Sequence, residues 1–184
     1  MVPLAALLVL GSRYALFNDD QTTTPLFITS LACSQPEPLW LQAQSVPSAS
    51  LVPCAHVLPA GWRVATVKVR NGWSEFTLGH AQVGSQALVV RLSAACDTTG
   101  AIQRPSNQPG AQRYERTEPG PVATWYTVFP GGCVTAQLDP TISADAAFAK
   151  EASSILGFTT RQTLEQVLDE RSNGRLHLDP GTAG

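Results

Sequence analysis

Hydrophobic and polar residues alternate through the middle of the chain, starting near Trp62. Because successive side chains of a strand point to opposite faces, this alternation predicts β-strands. The Asn71-Gly72 pair between the first two strands predicts a hairpin, since both central positions of a type I′ turn need positive φ. Pro130-Gly131-Gly132 predicts a second tight turn. The predicted strands cover residues 62–70, 73–80, 87–96, 112–117, 123–129 and 133–138.

The hydrophobic period lengthens near the carboxyl end, where two helices are predicted. Ser143 is suited to cap the first, over residues 144–156, and Gly157 is suited to stop it. Thr159 begins a capping box for the second, and Asn173-Gly174 ends it. The sequence therefore predicts an α+β fold, with an antiparallel sheet of five to six strands and two C-terminal helices.

The positions of the prolines predict where the connecting segments between regular elements lie. Residues 34–61 contain five prolines, and we expect an extended surface segment there rather than a helix, because proline removes N–H donors. A second polar, proline-containing stretch covers residues 97–121. Residues 175–179 alternate again and allow a further short strand.

The amino terminus carries an apolar run of nine residues, from Val2 to Leu10. This run has the length of a signal-peptide core and is short of the ~20 residues that span a bilayer. No basic residue precedes it, so an upstream start, or a buried strand or helix, are alternatives. We expect an anchor or signal-like segment with a polar linker over residues 1–32, one extracytoplasmic α+β domain over residues 33–180, and a tail over residues 181–184. Lipidation of Cys33 is a further alternative.

Four cysteines, Cys33, Cys54, Cys96 and Cys133, predict disulfides and an oxidising compartment. They contain no C-x-x-C pair and have no zinc-ligand spacing. Free buried thiols in a cytosolic protein are the alternative. Four cysteines allow three connectivities, of which we favour Cys33–Cys54 and Cys96–Cys133. Cys96 shares its strand face with apolar residues, so we expect it on the core side.

Composition and motifs argue against several classes of function but do not identify one. Twelve basic and fourteen acidic residues give a formal net charge of −2, so we expect no nucleic-acid partner. We find no motif for a nucleophile elbow, phosphate loop, zinc protease or dinucleotide site. We therefore assign no catalytic residue, no metal site and no cofactor.

A few side chains remain as candidates for binding. Trp73 and Tyr126 lie on predicted strands, where exposed aromatic rings would stack on a sugar or a peptide; core packing is the alternative. His80 is the third candidate. His80 or His56, paired with a carboxylate, would instead transfer a proton.

Two further motifs allow a site but have simpler explanations. Asp97 is either a ligand or the side chain of an Asx turn, and we favour the turn. The segment 130–133 is either an anion-binding nest or a hairpin turn before a bridged cysteine, and we favour the hairpin.

Several segments resemble a family of uncharacterised, membrane-anchored, exported proteins of high-GC Gram-positive (actinobacterial) bacteria. They are residues 44–49, 53–54, 58–62, 95–97, 105–106 and 129–134, within a region of resemblance covering 33–180. The resemblance implies an extracytoplasmic domain behind one amino-terminal anchor, with a Cys96–Cys133 bridge as a family feature. It implies no activity, and the charge-free amino terminus departs from it.

These observations predict a non-enzymatic binding or interaction domain of the cell envelope. We expect it at the outer face of the cytoplasmic membrane, or secreted, with the amino terminus contacting the membrane and an envelope protein or wall component as partner. The alternatives are a small envelope hydrolase that uses a His/carboxylate pair, and a carrier that encloses an apolar ligand.

Overall fold

A computed structural model describes residues 31–116, 124–142 and 145–180 of the chain. The predicted amino-terminal segment up to residue 30 and the tail after residue 180 lie outside these residues. The described helices are α1 (Glu37–Ser45), α2 (Ala146–Ile155) and α3 (Arg161–Ser172). The described strands are β1 (Leu51–Ala55), β2 (Trp62–Arg70), β3 (Trp73–His80), β4 (Gly84–Ser93), β5 (Ile102–Arg104), β6 (Gln112–Arg116), β7 (Thr124–Phe129), β8 (Gly132–Leu138) and β9 (Leu156–Thr160).

The α+β class is confirmed, but the main antiparallel sheet has seven strands rather than five to six. Their order is β2-β3-β4-β8-β7-β6-β5. The hairpin at Asn71-Gly72 is confirmed, with Arg70 paired to Trp73. The type I′ turn is not, because Gly72 has positive φ, at 87°, and Asn71 does not. All six predicted strands are present, although β4 lies three residues earlier than predicted, and the additional one is β5. Its three exposed residues, in a polar stretch, are too few to show a period of two. Thr117 and Ala123, where two of the strands were predicted to end and begin, lie outside the described residues.

One face of this sheet, here called the inner face, forms the core. Phe76 and Leu78 of β3 and Leu88, Val90 and Leu92 of β4 all project from it and are buried. The helices and a second, two-stranded antiparallel sheet of β1 and β9 cover this face. The opposite face, here called the outer face, carries the alternate side chains of the same strands.

Residues 34–61 were expected to be extended, and that prediction is wrong for α1. Pro36 is the N-cap residue of α1 and Pro38 lies in its first turn. Proline is tolerated there, because the first N–H groups of a helix have no partner within the helix. Leu39 and Ala43, four residues apart, are fully buried and hold α1 against the sheet.

The C-terminal helices were predicted with shifted ends. Asp145, whose carboxylate accepts from the N–H groups of Ala147 and Phe148, caps α2; the predicted cap Ser143 lies outside the described residues. Gly157 is the C′ residue of α2, as predicted, but its φ is not positive and it belongs to β9 rather than to a left-handed cap. The cap of α3 is Thr160 rather than Thr159.

The end of α3 at Asn173 is confirmed, with this residue in the left-handed region at φ 52°. No strand forms over residues 175–179. Leu178 is nevertheless buried, so this segment packs against the domain without joining a ladder.

Both favoured disulfides, Cys33–Cys54 and Cys96–Cys133, are formed, so all four cysteines are bridged. The expectation that Cys96 faces the core is wrong. The strand β4 ends at Ser93, and Sγ of Cys96 lies 3.2 Å from Oγ1 of Thr135. Thr135 alternates with the buried Val134 and Ala136, which places the Cys96–Cys133 bridge on the outer face.

Candidate functional site

The outer face of the seven-stranded sheet contains two of the three predicted binding residues. Trp73 pairs with Ser93 of β4, and Tyr126 pairs with Thr135 of β8, all on this face. Two strands, β4 and β8, separate the two aromatic residues, which also lie two residues apart along the strands, so they are roughly 16 Å apart at the usual strand dimensions. They share a surface but do not touch.

Strand register sets a row of side chains across the outer face. Each residue of the row pairs with its neighbours on the adjacent strands. From β2 to β5 the row is Lys68, Glu75, Arg91, Thr135, Tyr126, Tyr114 and Gln103. The end near β2 is therefore charged and the end near β5 is aromatic and polar.

The ring of Trp73 is covered by two guanidinium groups. Cζ of Arg91 lies 4.3 Å from the ring centroid, and Cζ of Arg70 lies 5.9 Å from it. Such cation–π contacts contribute about 0.5–1 kcal/mol each at exposed sites. The indole orients the two arginines, and its own face is less available for stacking on a sugar.

The cations at this end of the sheet outnumber the carboxylates. Lys68 is paired with Glu75 at 3.4 Å. Within the described residues, neither Arg70 nor Arg91 lies within salt-bridge distance of a carboxylate. Since the whole chain has a formal net charge of −2, the patch formed by Lys68, Arg70, Trp73, Glu75 and Arg91, here called the arginine face, is a local excess of positive charge.

Tyr126 is only 5% exposed, so it is largely packed rather than presented. The Arg116 guanidinium lies 5.2 Å from its ring and donates to the carbonyls of Asp97 and Thr99. These bonds hold the segment after β4 across the outer face. Tyr126 therefore supports that segment, which contains Cys96.

Asp97 forms the Asx turn that the sequence favoured. Its carboxylate accepts from the backbone N–H of Thr99 at 2.9 Å. Hydrogen bonds from the hydroxyl and the N–H of Thr99, with the nearby charge of Arg116, lower the pKa of Asp97 below its ordinary value. The side chain is thus occupied by local structure.

His80 lies on the inner face, away from the other two candidates. Its ring contacts Phe148 edge-on at 4.9 Å and Trp62 at 5.2 Å, and Nδ1 accepts from the N–H of Gln82 at 3.3 Å. The indole N–H of Trp62 donates to Glu151 of α2 at 2.6 Å. This cluster attaches α2 to the edge of the sheet.

The histidine–carboxylate pair that a hydrolase would need does not form at His80 or His56 among the described residues. His56 is exposed. The Nδ1 atom of His177 approaches Asp169 at 3.8 Å, and both side chains are more than half exposed. This pair lies on the surface and is not one of the pairs that the sequence suggested.

The segment 130–133 is a hairpin turn, as favoured from the sequence. Gly131 has φ 72°, and a Cβ atom there would lie 1.9 Å from the carbonyl oxygen of Ser48. Oγ of Ser48 donates to the Gly131 carbonyl at 2.6 Å, and the N–H of Ser50 donates to that of Pro130. The carbonyls of Pro130 and Gly131 are therefore both hydrogen-bonded to residues 48–50.

No group of three His, Cys, Asp or Glu side chains in the described ranges could hold a metal ion. None of the helices in those ranges combines the length and apolar character needed to cross a bilayer. No family model, curated protein or solved structure matches this chain. Any function of the outer face is therefore inferred from its geometry.

Sequence reasoning missed the arginines of this face. Arg70 could have been found, because a two-residue hairpin loop places it directly opposite Trp73. Arg91 could not, because the register of β4 against β3 depends on the loop after His80, where a bulge shifts the pairing.

Proposed function

We propose that this chain is a non-enzymatic binding domain of the cell envelope, located outside the cytoplasmic membrane. In this proposal its arginine face binds an anionic wall component. The anchoring of the domain through its amino terminus, and its relation to exported actinobacterial proteins, belong to the same proposal.

The extracytoplasmic location is supported by the two disulfides, Cys33–Cys54 and Cys96–Cys133. Disulfides persist in oxidising compartments and are rare where glutathione keeps thiols reduced. Both bridges join segments outside regular helices to strands of the sheets. They are placed to stabilise the domain rather than to exchange in a redox reaction.

The observation that carries the binding proposal is the position of Arg70 and Arg91 over the Trp73 ring. The indole restricts their movement, so less side-chain entropy is lost when an anion binds. A guanidinium presents its donors in a plane that matches phosphate and carboxylate oxygens. The helices and the second sheet pack on the inner face, which leaves this patch accessible to a large polymer.

The location is tested by the reactivity of the cysteines. We expect the full chain, isolated from the envelope without reductant, to show no reaction with a thiol probe after unfolding. Labelling of all four cysteines would overturn the extracytoplasmic assignment. Reduction before labelling is the positive control.

The binding proposal is tested by sedimentation with Gram-positive cell walls, used intact and after acid extraction of their phosphate-bearing polymers. The full oxidised chain is expected to bind intact walls and to bind less as salt rises from about 50 to 200 mM. Arg91→Gln is expected to weaken binding about tenfold, equivalent to about 1.4 kcal/mol. Lys150→Gln, which removes the same charge from an exposed residue of α2 on the inner-face side, is the matched control.

The outcomes distinguish this proposal from general charge attraction. Equal losses in Arg91→Gln and Lys150→Gln would show that only net charge matters and would overturn the assigned face. Binding that survives extraction of the anionic polymers would overturn the assigned partner. Trp73→Leu is also expected to weaken wall binding, because both guanidinium groups lose the ring that orients them.

A further inference from the structure

A second surface lies on the other side of the sheet, in a cleft of about 470 Å³. One wall is the inner face of β6 and β7, with Arg113, Glu115 and Thr127. Another is the segment 104–108 that follows β5. The third is formed by Ser153 of α2 and by Leu156 and Phe158 of β9. Its volume is in the range of roughly 300–1,000 Å³ that small-molecule sites occupy.

Two arginines share a single carboxylate in this cleft. Nε of Arg104 donates to one oxygen of Glu115 at 3.3 Å. Nε of Arg113 donates to the other oxygen at 3.2 Å, and Nη2 of Arg113 lies within ion-pair distance of it at 3.1 Å. One carboxylate cannot neutralise two guanidinium groups. Among the described residues no second carboxylate reaches either arginine, so the cleft keeps an excess positive charge.

Packing fixes these charged groups in place. Cζ of Arg113 lies 5.6 Å from the ring centroid of Trp125, which is buried beside Glu115 on the neighbouring strand. The Glu115 side chain is 19% exposed and that of Arg113 is 28% exposed. Both are therefore held by the domain and partly withdrawn from water, where a charge-assisted hydrogen bond is stronger than at an open surface.

The remaining lining combines amide and apolar groups. Asn107 and Gln108 offer donors and acceptors that match a peptide group, while Leu156 and Phe158 are partly buried and apolar. The cleft also adjoins β5, which is the edge of the sheet, so the outward backbone groups of Ile102–Arg104 have no ladder partner among the described strands. An extended peptide can pair with such an edge.

We propose that this cleft binds the carboxyl end of a short peptide, with the terminal carboxylate held by Arg104 and Arg113. The amides contact the last peptide group, and the apolar wall accepts a small side chain. Glu115 occupies the two guanidinium groups when no ligand is bound, so it orients them and competes with the ligand for them. This site is separate from the arginine face and does not depend on the function proposed for that face.

The test uses the full oxidised chain and two probes that differ only in their last group. The first is acetyl-alanyl-alanine with a free carboxylate, and the second is the same dipeptide with a carboxamide. We expect calorimetry to show binding of the acid that is at least tenfold tighter than that of the amide. NMR shift changes are expected at residues 104–108 and along β6.

Two substitutions in the cleft are expected to change the affinity for the acid in opposite directions, whereas a general loss of structure would weaken binding in both. Arg104→Gln, at a side chain that is about half exposed, is expected to weaken binding of the acid at least tenfold. Glu115→Gln is expected to strengthen it, because the competing charge is removed. Arg91→Gln, on the outer face, is expected to leave it unchanged.

Four results would overturn the proposal. Three of them are equal binding of acid and amide, unchanged affinity in Arg104→Gln, and weaker binding in Glu115→Gln. Displacement of the dipeptide by inorganic phosphate at equal concentration would show that the cleft takes anions generally and would overturn the peptide assignment. None of these results tests wall binding, which is measured separately by sedimentation of Arg91→Gln with cell walls.

Discussion

Removal of the Cys96–Cys133 bridge is the perturbation whose size the structure specifies best. The bonded residues are 37 apart in the chain. In the chain-entropy model, a loop of this length contributes about 3.8 kcal/mol by restricting the unfolded state. Domains of this size have a free energy of unfolding of about 5–15 kcal/mol. We therefore expect Cys96→Ala/Cys133→Ala to fold at 25 °C but to lose a large part of its stability.

Urea unfolding followed by tryptophan fluorescence measures this loss, with the oxidised wild-type chain as reference. Because the effect is on the unfolded state, the dependence on urea is expected to steepen as that state expands, while the near-ultraviolet circular dichroism of the folded state is unchanged. A loss below about 1 kcal/mol would refute the entropic account. A changed folded-state spectrum would show that the bridge acts through native packing instead.

Three further predictions concern single residues. Gly131→Ala is expected to destabilise by several kcal/mol in urea, because its Cβ would overlap the carbonyl of Ser48; Gly110→Ala has the same φ of 72° with open space around it, and a similar loss there would contradict the reasoning. Trp62→Phe is expected to cost about 2 kcal/mol, since a hydrogen bond to a carboxylate of α2 is lost, and thermal unfolding measures it. The pKa of Asp97 is lower in the folded chain than unfolded, so its contribution is present above about pH 4 and is lost as pH falls through the folded pKa. Unfolding at pH 7, 4 and 2.5 is expected to show a weaker acid dependence in Asp97→Asn, and an identical dependence would count against it.

The strands of the main sheet could be predicted because residues close together in the sequence determine them. Residues 73–80 and 87–93 alternate clearly, and Asn71-Gly72 specifies a turn through its own backbone preference. The helix α1 was missed because prolines were counted without regard to position. A proline at the start of a helix is compatible with it, whereas one in its interior is not.

The strand β9 could not be predicted because tertiary contacts determine its conformation. Residues 156–160 follow a helix and contain a glycine, which favours a helix end. In the structure they pair with β1, and a Cβ at Gly157 would lie 2.8 Å from Sγ of Cys33. A distant disulfide thus requires the glycine, and no local pattern carries that information.

From the sequence, we could predict which types of residue form a candidate site, but not which side chains meet there. Trp73 was identified, but the two arginines over its ring come from different strands, so their meeting depends on register. The cleft around Glu115 was not predicted at all. It forms where β6 approaches β9 across the layers of the fold, and sequence periodicity does not describe such contacts.

The pairing of β1 with β9 also constrains the order in which this domain can fold. A chain is synthesised from its amino terminus, so β1 is available long before its partner. Cys54 lies within β1 and is bridged to the nearby Cys33, a bond that needs nothing from the later chain. Early oxidation would hold β1 in position while the seven-stranded sheet assembles. The strand β9 then closes the domain by pairing with an edge that is already formed, which shortens the search for the most distant strand pairing among the described residues.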